Sequence, residues 1–199
     1  MQVAENITWE HCRAVTEDLL GRLEELNDDF ITGLNRGNGI YIVAYAGREL
    51  GGGSLWGEQK PRVVYIGISK PNSSRHFCSG STGISTIRRS LAALLASQLE
   101  LVPIPRSADE EDNDRYDNYM LDTQSEDKLT AWMRGNFSAC FYEVAQDRVE
   151  AMQQAMIQYS VPMFNFQNNP ENKYGAEIKK YRKHLAKQAY KNDQQAKIS

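Results

Sequence analysis

The distribution of apolar and polar residues predicts three β-strands in this chain. Residues 40–46 and 63–69 are rich in Ile, Val and Tyr, and residues 138–144 form a third stretch of the same kind. A glycine-rich connection, 47–62, separates the first two stretches. The simplest arrangement is therefore a hairpin with a long loop, which the third strand joins in one small sheet.

Helical patterns flank these strands. Apolar residues recur at spacings of three and four in five further stretches, which begin near Thr8, Ser85, Ser125, Asp147 and Tyr174. The order α-β-β-α-α-β-α-α predicts an α/β fold, in which a small three-stranded sheet is flanked by helices, with added N- and C-terminal helices. Three strands are too few for a doubly wound nucleotide-binding sheet. The glycines at 51–53 precede Ser54 rather than Lys and Ser/Thr, which argues against a phosphate-binding loop.

Charge is unevenly distributed along the chain. The net charge is −3, yet residues 171–199 carry eight Lys/Arg against three Asp/Glu, which leaves 15 against 23 in residues 1–170. Much of the acid falls within an insertion at about 105–124, which we expect to be exposed. These shifts suggest an N-terminal helical extension (1–36), a core domain (37–169) and a basic C-terminal helix (170–199).

Cysteine content and hydropathy exclude several classes of protein. Cys12, Cys78 and Cys140 are far apart, so they form neither a disulfide framework nor a zinc signature. No stretch approaches the roughly 18 apolar residues of a membrane span. The sequence thus predicts a cytoplasmic protein with no membrane partner.

Two tripeptides carry the first chemical signal. Gly39-Ile40-Tyr41 opens the first predicted strand, and Tyr65-Ile66-Gly67 lies within the second. Pairing of these strands would bring the two tyrosines side by side, either as core residues or as part of a site. Arg75 stands ten residues after Tyr65, and the last core helix is followed by Pro162-Met163-Phe164-Asn165.

In this order, the motifs resemble those of the GIY-YIG nuclease family, over about residues 39–165. Segments 85–91 and 129–133 look like those of one bacterial branch of that family. The resemblance implies an endonuclease that hydrolyses DNA phosphodiester bonds with water as the nucleophile and one Mg²⁺ or Mn²⁺ ion. RNA is the less favoured partner. The alternative is a non-catalytic nucleic-acid-binding module on the same scaffold.

The resemblance also assigns roles to individual residues. Tyr41, together with Tyr65, would position or deprotonate the water. Arg75 would hold the scissile phosphate through its planar guanidinium, and Arg88, at a helix start, is the alternative clamp. His76 would share in proton transfer, unless it is an ordinary surface histidine. Asn165 would orient the last core helix, or else cap free helix carbonyls.

The chain departs from the family at one position. The family's metal-binding glutamate stands twelve residues before the Asn, and that position holds Gln153. A neutral amide offers a hard cation only its carbonyl oxygen. The chain is then an inert relative that still binds DNA, or a deliberately inactivated variant. A third and less favoured interpretation is that Glu150, one helical turn earlier, serves as the ligand instead.

The C-terminal helix supplies a candidate DNA-binding face. Its basic residues can follow a phosphate backbone, although a solvated amphipathic helix would show the same pattern. They are Lys179, Lys180, Arg182, Lys183 and Lys187. Because the core motifs end at Asn165, we expect this helix to be dispensable for folding.

Overall fold

The computed structural model describes residues 7–35, 37–45, 63–71 and 73–198. The predicted connection 47–62, with its three glycines, lies outside these residues, as does Ala46 at the end of the first predicted strand. The chain divides into two compact units. Of the described residues, those within 7–45, 63–73 and 137–173 belong to the first unit, and those within 74–136 and 174–198 belong to the second.

The described residues form short strands and longer helices. The strands are β1 (Glu24–Glu25), β2 (Gly39–Tyr45), β3 (Val63–Ser69), β4 (Pro103–Ile104), β5 (Met120–Leu121) and β6 (Phe137–Glu143). The α-helices are α1 (Trp9–Gly21), α2 (Asp28–Gly33), α3 (Thr86–Leu95), α4 (Thr123–Asn136), α5 (Val149–Ser160) and α6 (Gly175–Ala196). Among these residues, no helix combines the length and apolarity needed to cross a membrane.

The first unit is built on an antiparallel sheet in the order β1-β6-β2-β3. Its three long strands are the predicted ones, and helices flank them, which confirms the predicted α/β fold. β1 adds a two-residue edge strand paired with β6. It escaped prediction because two exposed glutamates carry no apolar signal. The short helix α2 also escaped prediction, because six residues are too few to show a repeating helical spacing. Asn27 caps it by accepting a hydrogen bond from the Phe30 N–H at 2.9 Å.

The core of the first unit lies between one sheet face, α1 and α5. Ile40 and Ile42 of β2 meet Leu19 of α1 and Met156 of α5, all four without exposed surface. Helix α1 begins as predicted, because the Thr8 hydroxyl accepts a hydrogen bond from the His11 N–H. The N-terminal helix is therefore an integral part of this core.

The second unit contains α3, α4, α6 and the small β4–β5 pair. Helix α6 buries Ile178, Leu185 and Ala189, so it contributes to the core of this unit. That the rest of the chain folds without this helix stays a prediction. The acidic insertion is exposed only in part. Its Tyr119 is fully buried, and its Arg115 pairs with Asp193 of α6 at 2.9 Å.

Candidate functional site

The antiparallel β2–β3 pair brings the two motif tyrosines onto one face of the sheet. Tyr41 lies opposite Gly67, and Val43 lies opposite Tyr65, so the tyrosines are diagonal neighbours. Their ring centroids are 6.0 Å apart, with the ring planes tilted by 45°. Tyr41 is fully buried, whereas Tyr65 is half-buried. Tyr65 is therefore the member of the pair that a ligand can reach in this conformation.

The glycine of the second motif makes room for the first tyrosine. A Cβ atom at Gly67 would lie only 2.6 Å from Tyr41 Cε1, and closer still to Tyr41 Cζ and the hydroxyl oxygen. The missing side chain thus allows the Tyr41 ring to lie across β3. This explains in steric terms why the two tripeptides belong together.

Gly67→Ala should displace Tyr41 and destabilise the first unit by about 1–3 kcal/mol, since overpacking a buried site has that typical cost. Gly135→Ala in α4 is the matched control, because a Cβ atom added there would meet no other atom within 4 Å. That substitution should stabilise the protein by about 0.5–1 kcal/mol. Urea unfolding of both variants gives the comparison, and equal stabilities would contradict the steric role of Gly67.

Asn165 holds the outer edge of β3. Its Oδ1 accepts from the Ile66 N–H, and its Nδ2 donates to the Ile66 carbonyl, both at 2.9 Å. The Phe164 N–H donates to the Val64 carbonyl at 2.9 Å. Asn165 therefore binds the strand that carries Tyr65 and Gly67, through the two groups that a neighbouring strand would use.

Gln153 joins the same group of atoms. Gln153 lies on α5 and is half-buried. Its Nε2 donates to the Ile66 carbonyl at 3.2 Å, beside the Asn165 amide. The N–H₂ end of the side chain therefore faces the strand. Glu150, by contrast, has an 81% exposed side chain, and its Oε1 lies 3.7 Å from Lys70 Nζ.

This donor set does not fit a hard divalent cation. Such ions prefer charged carboxylate oxygens. Gln153 is neutral and turns its N–H₂ group to a carbonyl, while Glu150 is a solvated partner of Lys70. Within the described ranges, no three His, Cys, Asp or Glu side chains are grouped to hold a metal.

His76, in the second unit, is buried rather than a surface histidine. It ends the 3₁₀ turn Ser73–His76, is 7% exposed, and its Nδ1 lies 2.9 Å from Ser85 Oγ. Ser85 Oγ also accepts from the Arg88 N–H at 3.3 Å, so it joins His76 to the start of α3. Burial, then the charges of Arg75, Arg88 and Arg89, lower the pKa of His76 to about 3. The ring is therefore neutral near pH 7.

Arg88 is a buried structural residue in this conformation. It has no exposed surface, and its Nη2 lies 2.6 Å from Oε2 of Glu126, which is itself buried. The same guanidinium donates to the hydroxyls of Thr82 and Thr130. Burial lowers the pKa of Arg88, while Glu126 opposes that effect. The interpretation of Arg88 as a phosphate clamp is thus disfavoured, and half-exposed Arg75 becomes the better candidate.

Sequence reasoning missed Glu126 as the partner of Arg88. A signal was present, because Glu126 precedes Leu129 and Met133 at the spacing of one helical face, and both are fully buried. An acid on an apolar stripe indicates a buried partner.

On α6, the four lysines Lys179, Lys180, Lys183 and Lys187 are exposed, whereas Arg182 is half-buried.

Comparison with known proteins agrees with this geometry. The family model of the GIY-YIG catalytic domain matches residues 53–184, which is more than half of the chain. The matched range includes β3, Gln153 and Asn165, whereas β2 precedes it. No curated protein and no solved structure matches the chain. Domains of this family are nucleases and typically use divalent metals. This chain belongs to the GIY-YIG catalytic domain family.

Proposed function

We propose that this protein binds DNA through its GIY-YIG scaffold and directs a phosphodiester to Tyr65 of the Tyr41–Tyr65 pair, with hydrolysis suppressed by Gln153. The observation that carries this proposal is the hydrogen bond from Gln153 Nε2 to the Ile66 carbonyl. It fixes a neutral N–H₂ group where the family resemblance expects a carboxylate. The scaffold is that of an endonuclease, while the chain as it stands is a nucleic-acid-binding module.

The chemistry of hydrolysis explains why this change matters. Cleavage of a phosphodiester needs an oriented water and positive charge on the phosphoryl oxygens. The family resemblance gives the orientation of the water to the Tyr65 hydroxyl and the hold on the phosphate to the planar guanidinium of Arg75. A tyrosine hydroxyl is by itself a weak base at neutral pH. Without a further source of charge stabilisation at α5, this set of groups supports binding better than cleavage.

His76 has a different role from the one that the resemblance suggests. An efficient proton-transfer group has a pKa near the working pH. The pKa of His76, at about 3, is far below that range. We therefore assign His76 to hydrogen bonding.

The exposed lysines of α6 give a direct test of DNA binding. The double variant Lys180→Gln/Lys187→Gln should weaken duplex binding and reduce the slope of log K against log[salt] by about 0.9 for each lost phosphate contact. The measurement is fluorescence anisotropy over a range of salt concentrations, with an RNA duplex alongside. Exposed Arg13 of α1 provides the control, since Arg13→Gln removes one charge from the first unit.

Three results of these binding and cleavage measurements bear on the proposed function. An unchanged affinity and salt slope in the lysine double variant would show that α6 is merely solvated on that face. A weaker affinity for RNA than for DNA is expected from the wild-type chain. DNA retention without Mg²⁺-dependent plasmid cleavage is the result that the proposal requires of the chain as it stands.

A further inference from the structure

Arg182 occupies an unusual place on α6. It lies between Ile178 and Leu185 on the face that packs into the second unit, where a basic side chain is half-buried rather than solvated. Burial lowers the pKa of Arg182, and the charge of the Asp117 carboxylate acts against that effect. No described residue forms a hydrogen bond or ion pair with its guanidinium. The charge is thus partly removed from water without a bonded counterion.

A second arginine lies near it. Arg89 of α3 is 7% exposed, and its Nη1 donates to the carbonyls of Thr82 and Gly83 at 3.2 and 2.6 Å. Its Nε is buried and has no hydrogen-bond partner among the described residues. After burial, the charge of Arg182 is the largest influence that lowers the pKa of Arg89, to about 10. The positive charge of Arg182 therefore acts on a buried guanidinium whose Nε has no hydrogen-bond partner in the described part of the chain.

Tyr119 does not supply the missing negative charge. Its hydroxyl donates to the Arg89 carbonyl at 2.6 Å, and burial raises the pKa of the phenol. The tyrosine is therefore protonated and neutral. Because charges that are partly removed from water are normally paired in folded proteins, the unbonded guanidinium of Arg182 is suited to hold an anion.

A cavity opens at Arg182. It has a volume of about 340 Å³, and its walls differ in chemistry. Lys179, Arg182 and Lys183 of α6 form a basic wall, while Asp114, Asp117 and Asn118 supply carboxylates and an amide on the other side. A simple phosphate site would not need the second wall, since carboxylates repel an anion.

We infer that this cavity is a nucleotide-binding pocket, in which Arg182 holds the phosphate and the Asp117–Asn118 wall accepts hydrogen bonds from an amino-bearing base. Carboxylates and amides pair with the exocyclic amino groups of cytosine and adenine, whereas thymine has none. The volume falls within the range of small-ligand sites. Both a free nucleotide and one nucleotide of a single strand have this chemistry. The pocket does not depend on the Tyr41–Tyr65 site.

Calorimetric titration of the full chain with deoxycytidine monophosphate tests the pocket. We expect binding that Arg182→Ala weakens by about tenfold or more, since a charge-assisted hydrogen-bond pair to phosphate is lost. Lys191→Ala is the matched control, because this exposed lysine of α6 does not line the cavity. Deoxythymidine monophosphate and inorganic phosphate should bind more weakly than deoxycytidine monophosphate. Asp117→Asn should reduce the difference in affinity between deoxycytidine monophosphate and deoxythymidine monophosphate.

Thermal unfolding keeps the test independent of folding defects. The nucleotide should raise the melting temperature of the wild type but not that of Arg182→Ala. Without ligand, that variant should be no less stable than the wild type, because it loses an unpaired charge. Should it fail to fold, Arg182→Lys replaces it in the titration, and we expect it too to bind more weakly because it lacks the planar fork.

The remaining outcomes separate the ligand sources and the two proposals. If a short oligodeoxycytidine strand displaces bound deoxycytidine monophosphate, the ligand of the pocket is a nucleotide within a nucleic acid. If it does not, the ligand is a free nucleotide. Equal affinity for all nucleotides and for inorganic phosphate would contradict the recognition of the base by Asp117 and Asn118. No binding, or equal binding by Arg182→Ala, would overturn the pocket even if duplex DNA binds. Nucleotide binding without any duplex binding would instead overturn the proposed function.

Discussion

Gln153→Glu is expected to create Mg²⁺-dependent cleavage of plasmid DNA. The substitution keeps the length of the side chain and adds the charge that a hard cation requires. The gain should be about 10²–10³-fold over the wild-type chain, the typical effect of one electrostatic contact to a developing charge. The measurement is the rate of plasmid nicking with Mg²⁺, and with a chelator in its place.

Two further substitutions on α5 control this experiment. Gln154→Glu adds the same charge at an exposed position one residue away and should produce no cleavage. Glu150→Gln should change little in the Gln153→Glu background, because Glu150 is 81% exposed. If the wild-type chain already cleaves and Glu150→Gln abolishes the cleavage, Glu150 is the ligand and our assignment of Gln153 is wrong.

The same variant has a signature that does not depend on activity. In Gln153→Glu, the N–H that bonds the Ile66 carbonyl is replaced by a carboxylate oxygen, which that carbonyl repels. We expect a lower melting temperature without metal, and recovery as Mg²⁺ is added, since a ligand that binds only the folded state stabilises it. The wild type and Gln154→Glu should show no such response.

Arg88→Ala is expected to destabilise the protein by about 3–5 kcal/mol, because it leaves the Glu126 carboxylate buried and unpaired. Glu126 is 2% exposed, so water cannot replace the lost partner. The surface pair Arg13–Glu17 offers a contrast, since both side chains are more than half exposed and Arg13→Ala should cost at most about 1 kcal/mol. Urea unfolding measures both.

A double substitution decides between the two roles of Arg88. Arg88→Met with Glu126→Leu should recover most of the stability, because well-packed apolar side chains can replace a buried ion pair. A structural Arg88 predicts that DNA affinity returns with the fold. Lost affinity in the stable double variant would instead restore Arg88 as a phosphate clamp.

Local sequence patterns were sufficient to predict most of the fold. Strands β2 and β3 are nearly continuous apolar runs, β6 is rich in aromatic residues, and Thr8 caps α1 through a contact within one turn. These features depend on neighbours along the chain, so the sequence shows them directly. The order of the motifs then placed Tyr41 and Tyr65 on paired strands, and the register agrees.

Features that depend on distant contacts could not be predicted in this way. Glu126 meets Arg88 from a different helix, and Gln153 meets Ile66 from a different element. No spacing rule indicates which carbonyl an amide will bind. The sequence therefore indicated only that Gln153 stands in the place of a metal-binding glutamate. The position of Arg182 on an apolar stripe was visible in the sequence, but the opposing charge of Arg89 became apparent only in three dimensions.

The segment Phe164–Asn165, which binds the edge of β3, also affects the tendency of this protein to self-associate at high concentration. A free strand edge is a template on which a second chain can add a strand, and repeated addition leads to aggregates. On β3, the Val64 carbonyl and both backbone groups of Ile66 are already bonded to Phe164 and Asn165. The opposite edge of the sheet is β1, only two residues long and acidic. The side chain that shapes the site thus also shields the sheet from self-association.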